Sequence, residues 1–125
     1  MDSPQTENGY TKIPNEIIEA MIQHDFGFSK GKVFVAIIRK TYGWQKESDK
    51  ISISQICDFT NLSKRAVIYT LQNLEAQQKI TIKRSFENNE NQINEISIQS
   101  DYTKWNDDSF APPYAKLKNQ AQIRS

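Results

Sequence analysis

The chain has 125 residues, 37% of them hydrophobic and 25% charged, which is the composition of one ordinary globular domain with tails. Its single cysteine, Cys57, excludes an internal disulfide, and no apolar run approaches the roughly 20 residues that span a bilayer. The N-terminus is polar and acidic rather than signal-like, so we expect a cytoplasmic protein in a reducing compartment, without a membrane.

The net charge of +1 hides an uneven distribution along the chain. Residues 1–28 carry one basic and five acidic side chains, whereas residues 29–84 carry eleven basic and four acidic ones. Residues 85–125 carry four basic and six acidic side chains. A cationic middle between acidic ends is typical of a domain that binds a polyanion such as nucleic acid.

The first two predicted elements are amphipathic helices. The first is expected to begin at Asn15, after Pro14, and to end at Gly27; the second starts after Ser29 and stops at Gly43. Apolar residues recur in both at three- and four-residue spacing. The faces expected to be buried are Ile17, Ile18, Met21, Ile22 and Phe26 in the first helix, and Val33, Phe34, Ile37, Ile38 and Thr41 in the second.

The connection after the second helix is rich in charged and aromatic residues: residues 39–52 read RKTYGWQKESDKIS. Aromatic side chains are usually buried, so we expect Tyr42 and Trp44 to pack against this corner of the domain. Stacking on nucleic acid bases is the alternative role for these two rings.

The next two helices have the clearest start signals. Ser52 and Gln55 form an S-x-x-Q capping box at the start of the third helix, which is expected to be short. Asn61 follows this helix, and asparagine tolerates the left-handed conformation expected there. Ser63 is the predicted cap of the fourth helix. Two helices joined by about three residues form a helix-turn-helix. The core stripe of the fourth helix is expected to be Val67, Thr70, Leu71 and Leu74.

A β-hairpin is predicted next, because isoleucines alternate with polar residues in ITIKRSF and INEISIQS on either side of the polar tract ENNENQ. The fold class is thus mainly α with a small β-hairpin, in winged helix-turn-helix order. From Asp101 the apolar period ends, and Pro112 and Pro113 interrupt the rest. We expect a flexible arm over residues 1–13, a winged-helix DNA-binding domain over 14–100, and a largely disordered tail or linker over 101–125.

The outward side of the fourth helix is the candidate base-reading surface. Arginine can bind guanine, and glutamine or asparagine adenine, through paired hydrogen bonds in the major groove, while isoleucine can contact a thymine methyl group. An ordinary solvated surface is the alternative, but the capped turn before the helix and the hairpin after it favour DNA. The candidate residues are Ser63, Lys64, Arg65, Ile68, Tyr69, Gln72 and Asn73.

Two kinds of position are candidates for phosphate contacts. Helix N-termini present unpaired N–H groups and a favourable dipole, which points to Lys64 in the fourth helix and to Ser52 and Ser54 in the third. Capping alone accounts for Ser52. Basic residues on the first hairpin strand, Lys83 and Arg84, are candidate wing contacts.

The sequence offers little for catalysis. One histidine and one cysteine cannot supply a zinc site, and Cys57 is expected to be a small packing residue. There is no glycine-rich phosphate loop and no carboxylate pair at metal spacing. We therefore expect no enzyme, no cofactor, no metal and no small-molecule ligand.

The segments NGYTKIPNEIIEAM and VFVAIIRKTYGWQKESDKISISQICDFTNLSKRAV resemble the N-terminal, origin-binding domain of the lambda-type phage replication protein O family, over roughly residues 8–86. The resemblance implies a winged-helix domain that binds repeated sites in a phage origin, often as a homodimer. It also implies base reading by Lys64, Arg65, Tyr69, Gln72 and Asn73. Arg39, Lys40 and Lys46 are implied to lie near the DNA backbone.

Two residues depart from this family, which favours glycine where Asn61 stands and again near Gln78. A left-handed glutamine costs ~1 kcal/mol, unless the fourth helix simply runs on. The family's full-length members also carry a C-terminal region that recruits the host helicase machinery. At 125 residues the chain is expected to lack that region and to be a truncated initiator, half of a split initiator or a relic used as a repressor.

The expected function is sequence-specific binding of double-stranded DNA at a phage or prophage replication origin, by an initiator or a truncated initiator. A winged-helix transcriptional repressor is one alternative. The other is a protein-interaction module that grips a host or phage replication protein through an acidic hairpin tip and the aromatic residues Trp105, Phe110 and Tyr114.

Overall fold

The computed structural model of the protein describes residues 9–87 and 91–109. Four α-helices and three β-strands follow one another in this part of the chain, with short 3₁₀ turns at Tyr42–Trp44 and Tyr102–Lys104. The helices are α1 (Asn15–Gln23), α2 (Gly27–Thr41), α3 (Ile53–Thr60) and α4 (Lys64–Ala76). The strands are β1 (Ser48–Lys50), β2 (Ile80–Glu87) and β3 (Asn91–Ile98).

The three strands form an antiparallel sheet in the order β1-β3-β2. The predicted hairpin is confirmed as β2 and β3, in which Ile80 lies opposite Ile98 and Ile82 opposite Ile96. The small strand β1 adds to the other edge of β3 and pairs Asp49 with Ile96. The predicted fold class is confirmed, and the order of the elements is consistent with a winged helix-turn-helix.

One hydrophobic core unites the helices and the sheet. Helix α2 lies at its centre with Phe34 and Ile37 fully buried. The predicted core stripe of α4 is confirmed, since all four of its residues are buried. The remaining large contributors are Ile17 of α1, Ile56 of α3, Ile51, Ile80 and Ile96 of the sheet region, and Trp105.

The predicted buried face of α1 is too wide. Ile17 and Ala20 are buried, but Ile18 and Ile22 are exposed, Ile22 to 77%. Successive side chains of a helix point about 100° apart. A short helix that touches the core along one narrow face therefore leaves the side chains next to that face in solvent. Phe26, expected at the end of the same face, follows the helix and packs against Phe34 with ring centroids 4.7 Å apart.

Helix α2 begins at Gly27, two residues before the predicted Ser29, and it does not end through Gly43. The left-handed residue after the following 3₁₀ turn is Gln45, with a φ of 58°. Gly43 instead provides space, because a Cβ added there would lie 2.6 Å from Nη1 of Arg39. The absence of a side chain at Gly43 therefore allows the Arg39 side chain to cross the turn.

The helix-turn-helix signals are confirmed residue by residue. The Ser52 hydroxyl accepts a hydrogen bond from the Gln55 backbone N–H (3.1 Å), and the Gln55 side chain accepts one from the Ser52 backbone (2.9 Å). Asn61 is left-handed with a φ of 62°. Ser63 caps α4 by accepting from the Ala66 backbone N–H at 3.1 Å. Residues 61–63 are thus the turn between α3 and α4.

Helix α4 ends at a left-handed Gln78 with a φ of 56°, so it does not run on. The Lys79 N–H donates to the Leu74 carbonyl (2.9 Å) and the Gln78 N–H to the Glu75 carbonyl (3.0 Å). This hydrogen-bond pair is the Schellman motif, which usually places glycine at the left-handed position. The turn carries Lys79 into the interior and starts β2 directly after it.

The core extends past residue 100, where the sequence analysis ended the domain. Trp105 is buried, its indole N–H donates to the Gln99 carbonyl at 3.1 Å, and its ring meets Phe26 and Phe34 edge to face. A single tryptophan among polar residues has no apolar period, so the sequence pattern did not reveal it. The rest of the predicted tail, residues 110–125, and residues 1–8 of the predicted arm lie outside the described residues.

Candidate nucleic-acid interface

One side of α4 is open to solvent, opposite the buried stripe. Lys64 and Arg65 are exposed there, and Ile68, Tyr69 and Gln72 are half-buried. The helix carries no acidic residue before Glu75. A shallow recess of about 330 Å³ lies at its N-terminal end, lined by Ser63, Arg65, Ala66 and Tyr69. The structure thus brings six of the seven predicted recognition-helix residues, including the capping Ser63, onto one surface.

Asn73 is not part of that surface. Its side chain is only 5% exposed, and it lines a recess under the N-terminal end of α2 together with Phe26 and Lys30. Helix α2 packs along this shoulder of α4, which covers a position that the helical period alone leaves open. Asn73 therefore lies off the open side of α4, and its contact with a DNA base stays a prediction.

Gln72 is placed less favourably than Arg65. Its side-chain carbonyl oxygen is buried and has no hydrogen-bond partner among the described residues. A glutamine reads adenine by donating with its amide nitrogen and accepting with this oxygen. The Gln72 side chain must therefore turn outward before it can bind adenine in that way.

The serine hydroxyls at the two helix starts are already engaged. Those of Ser52 and Ser63 accept the capping hydrogen bonds, so their structural role accounts for them. Ser54 is exposed in the first turn of α3, and Lys64 is exposed in the first turn of α4. Of these residues, Lys64 adds a positive charge at the helix N-terminus, the end of the helix dipole that attracts anions such as phosphate.

The two candidate wing residues differ in their surroundings. The guanidinium of Arg84 donates to both carboxylate oxygens of Glu75, at 3.0 and 2.9 Å, and this pairing raises the pKa of Arg84. Lys83 is exposed, and its backbone pairs with Glu95 across the hairpin. Arg84 therefore holds β2 against α4, whereas the Lys83 ammonium extends from the strand into solvent.

The charged connection places its cations beside aromatic rings. The Arg39 guanidinium lies 5.8 Å from the centre of the Trp44 ring, and the Lys40 ammonium 5.4 Å from that of Phe59. Lys46 is exposed and forms a weak ion pair with Asp49 at 3.4 Å. Tyr42 packs on the core as expected, but Trp44 is 64% exposed, so the prediction that it packs against this corner is wrong.

Comparison with known proteins identifies the family of this chain. The family model described as bacteriophage replication protein O matches residues 3–105. The chain belongs to this family. The match includes Trp105, which agrees with a domain core that continues past residue 100. Membership supports a role in phage DNA replication.

Two curated phage proteins are similar to parts of the chain. Replication protein O of Escherichia phage lambda is 41% identical over 56 residues, 45% of this chain and 17% of the relative. Replication protein 15 of Enterobacteria phage phi80 is 31% identical over 98 residues, 78% of this chain and 31% of the relative. The chain thus spans less than a third of the length of either. No solved structure matches the chain.

Several features of the surface escaped the sequence analysis. The Glu75–Arg84 ion pair joins a helix residue to a strand residue nine positions later, and no local sequence pattern predicts it. The rings of Phe28 and Phe59 are exposed, although phenylalanine is usually buried. The available signal was a lysine four or five residues after each ring, Lys32 after Phe28 and Lys64 after Phe59. Within the described residues, no helix is long and apolar enough to cross a membrane.

Proposed function

We propose that this domain binds double-stranded DNA sequence-specifically, with α4 as the recognition helix, at a phage or prophage replication origin. The observation that carries the proposal is the solvent-open side of α4. It begins at the Ser63 cap, presents Lys64 and Arg65 at its N-terminal end, and has no acid before Glu75. In helix-turn-helix proteins the N-terminal residues of the recognition helix reach the base edges.

The contacts divide into base reading and backbone positioning. Arg65 is the leading base reader, because a guanidinium can donate two hydrogen bonds to guanine. Ile68 offers an apolar contact for a thymine methyl group, and Tyr69 adds a hydroxyl beside the same recess. Lys64 and Lys83 are the leading phosphate contacts, since both are exposed and lie at the start of α4 and on the hairpin.

Charge supports the same surface. Residues 29–84, which include most of α2, all of α3 and α4 and the start of β2, carry eleven basic against four acidic side chains. Of those four acids, Glu75 is neutralised by Arg84 and Asp49 is paired with Lys46. A surface of this kind attracts DNA through release of counterions, an attraction that weakens steeply with salt.

The place in replication rests on the family. Both relatives are named replication proteins, so we propose an initiator that acts at an origin, with a homodimer and a host or phage replication protein as proposed partners. A transcriptional repressor would use the same α4 surface. The protein-interaction alternative has less support, because Trp105, one of its three aromatic residues, is buried in the core.

The test is an unbiased selection of binding sites from random duplexes, followed by anisotropy titrations at two or more salt concentrations. We expect one preferred site, bound more weakly as salt rises, and copies of it clustered within a phage replication region. A single copy at a promoter would identify a repressor instead. Absence of any salt-dependent duplex affinity would contradict the proposal.

A further inference from the structure

A second surface, separate from the open side of α4, lies between α2 and α3. It is a groove of about 710 Å³, which we call the aromatic groove. Val35 and Ala36 of α2 are among its aliphatic lining residues, and Phe28 and Phe59 are its aromatic ones. The complete lining is Gly27, Phe28, Gly31, Lys32, Val35, Ala36, Arg39, Phe59 and Thr60.

The aromatic groove and its continuation at Trp44 hold three exposed aromatic rings. Phe28 is 77% exposed, Trp44 64% and Phe59 51%, although phenylalanine and tryptophan are usually largely buried. In α2, Phe28, Lys32, Val35 and Arg39 recur at three- and four-residue spacing, so they form one stripe along the exposed side of the helix. Large apolar side chains left in water along a single stripe indicate a binding surface.

A cation accompanies each of these rings. Lys32 lies 5.2 Å from the centre of Phe28, Lys40 5.4 Å from that of Phe59, and Arg39 5.8 Å from that of Trp44. The pattern of one flat ring and one positive charge therefore occurs three times. A single-stranded nucleic acid repeats the complementary pattern, one flat base and one negative phosphate per nucleotide.

The charged residues that line the aromatic groove are all positive. Its lining contains Lys32 and Arg39 and no acidic residue, and α2 has no aspartate or glutamate at all. Asp58 of α3 is exposed and adjacent to Phe59 in sequence, but it does not line the groove. The groove thus complements a polyanion.

We propose that the aromatic groove binds single-stranded DNA, with bases stacked on Phe28, Phe59 and Trp44 and phosphates held by Lys32, Arg39 and Lys40. An acidic amphipathic helix of a protein partner has the same charge, but it fits less well. The Lys32 ammonium crosses from α2 to the Thr60 carbonyl of α3 at 2.7 Å and so divides the groove. A continuous apolar helix face cannot lie across that ammonium, whereas separate bases can stack on either side of it.

The aromatic groove joins the open side of α4 at Phe28. This ring also lines the recess that contains Ala66 and Tyr69 of α4. A strand that leaves a duplex held on α4 can therefore pass over Phe28 and continue along α2 towards Trp44. The inference goes beyond the proposed duplex binding, because a protein that only recognises a closed duplex has no use for stacking rings.

The experiment is an anisotropy titration of the full chain with fluorescent oligothymidine of about 20 nucleotides, longer than the ~4–16 nucleotides that single-strand sites cover. We expect salt-dependent binding that Phe59→Ala and Trp44→Ala each weaken by about 5- to 30-fold. Ile22→Ala removes an apolar side chain of α1 that is more exposed than either ring, and it should leave the affinity unchanged. Far-ultraviolet circular dichroism checks that all variants are folded.

Two further readouts distinguish the roles of ring and cation. Arg39→Gln should lower the slope of log affinity against log salt by about 0.7, whereas Phe59→Ala should leave that slope unchanged. Stacking should quench tryptophan fluorescence in the native chain and not in Trp44→Phe, because Trp105 is buried. Equal slopes in all variants, or unchanged quenching in Trp44→Phe, would overturn the assignment.

The outcomes separate this inference from the proposed duplex binding. Duplex affinity without oligothymidine affinity overturns the single-strand site and leaves the proposed function intact. The reverse result supports the site and removes the proposed function. If Phe59→Ala and Trp44→Ala weaken duplex binding as much as oligothymidine binding, the groove belongs to the duplex interface and the inference fails. The inference also fails if only an acidic amphipathic peptide binds the groove.

Discussion

The ammonium of Lys79 is completely buried and lies 2.7 Å from the carboxylate of Asp107. Lys79 also donates to the Asp25 carbonyl (2.6 Å) and to the Gln77 side chain (3.0 Å), and it lies over the Phe26 ring. His24 contacts the second carboxylate oxygen of Asp107 at 3.2 Å. This cluster fastens residues 101–109 to the turn after α1 and to the end of α4.

Asp107→Ala should therefore destabilise the domain by about 3 kcal/mol, because it leaves a buried charge without its counterion. We place the cost at the lower end for such pairs, since two neutral acceptors remain beside Lys79. Urea unfolding of the two proteins measures the difference. Asp108→Ala, at the exposed neighbouring position, is the matched control and should change stability little. Equal stability of Asp107→Ala and the native chain would show that the Lys79–Asp107 contact does not stabilise the domain.

Acid should weaken the same connection. Burial raises the pKa of Asp107, but its contacts with Lys79, the Asp25 backbone N–H and His24 lower the pKa further, so the net shift is downward. A carboxylate whose folded pKa is lowered adds stability that is present above its unfolded value of about 3.9 and is lost as the pH falls towards the folded value. Unfolding free energy should thus decrease below about pH 4, and Asp107→Asn should flatten that dependence.

Replacement of Gln78 by glycine should stabilise the domain by about 0.5–1 kcal/mol. Its left-handed backbone is unfavourable for a residue with a Cβ, and its exposed side chain has no packing to lose. Asn61→Gly is the matched comparison and should gain less, because asparagine tolerates this conformation. Urea unfolding distinguishes the two. A loss of stability in Gln78→Gly would show that the strain at this turn is overestimated.

Glu75→Gln should strengthen DNA binding. The substitution removes the only acid of α4 and releases the guanidinium of Arg84 for a phosphate. The slope of log affinity against log salt should increase in magnitude by about 0.9 for one added phosphate contact. Glu19→Gln neutralises an exposed acid of α1 and serves as the control. If Glu75→Gln weakens binding, the pair matters more for holding the hairpin against α4 than for masking Arg84.

The capped helix starts and the left-handed turn of the helix-turn-helix were predictable from the sequence. The capping box at Ser52, the cap at Ser63 and the left-handed Asn61 each depend only on a few neighbouring residues. A short stretch of sequence is therefore enough to predict them. The same holds for the buried stripe of α4, because the 3.6-residue period places it on one side.

Features that depend on distant neighbours were not predictable. Strand β1 has three polar residues and exists because β3 offers an edge. Asn73 is buried because α2 covers its side of α4. Trp105 is buried because its ring packs against the aromatic side chains around Phe34. The period of a single helix or strand says which residues share a face, but the partner element decides how far that face is covered.

Base reading by α4 is tested by comparing two substitutions on two duplexes. Arg65→Ala and Lys83→Ala are each titrated with the selected duplex and with random duplex at the same salt concentration. We expect Arg65→Ala to weaken binding to the selected site by about 1–3 kcal/mol with a smaller loss on random DNA, whereas Lys83→Ala should weaken binding to both equally. Equal losses on both duplexes for Arg65→Ala would contradict base reading by α4.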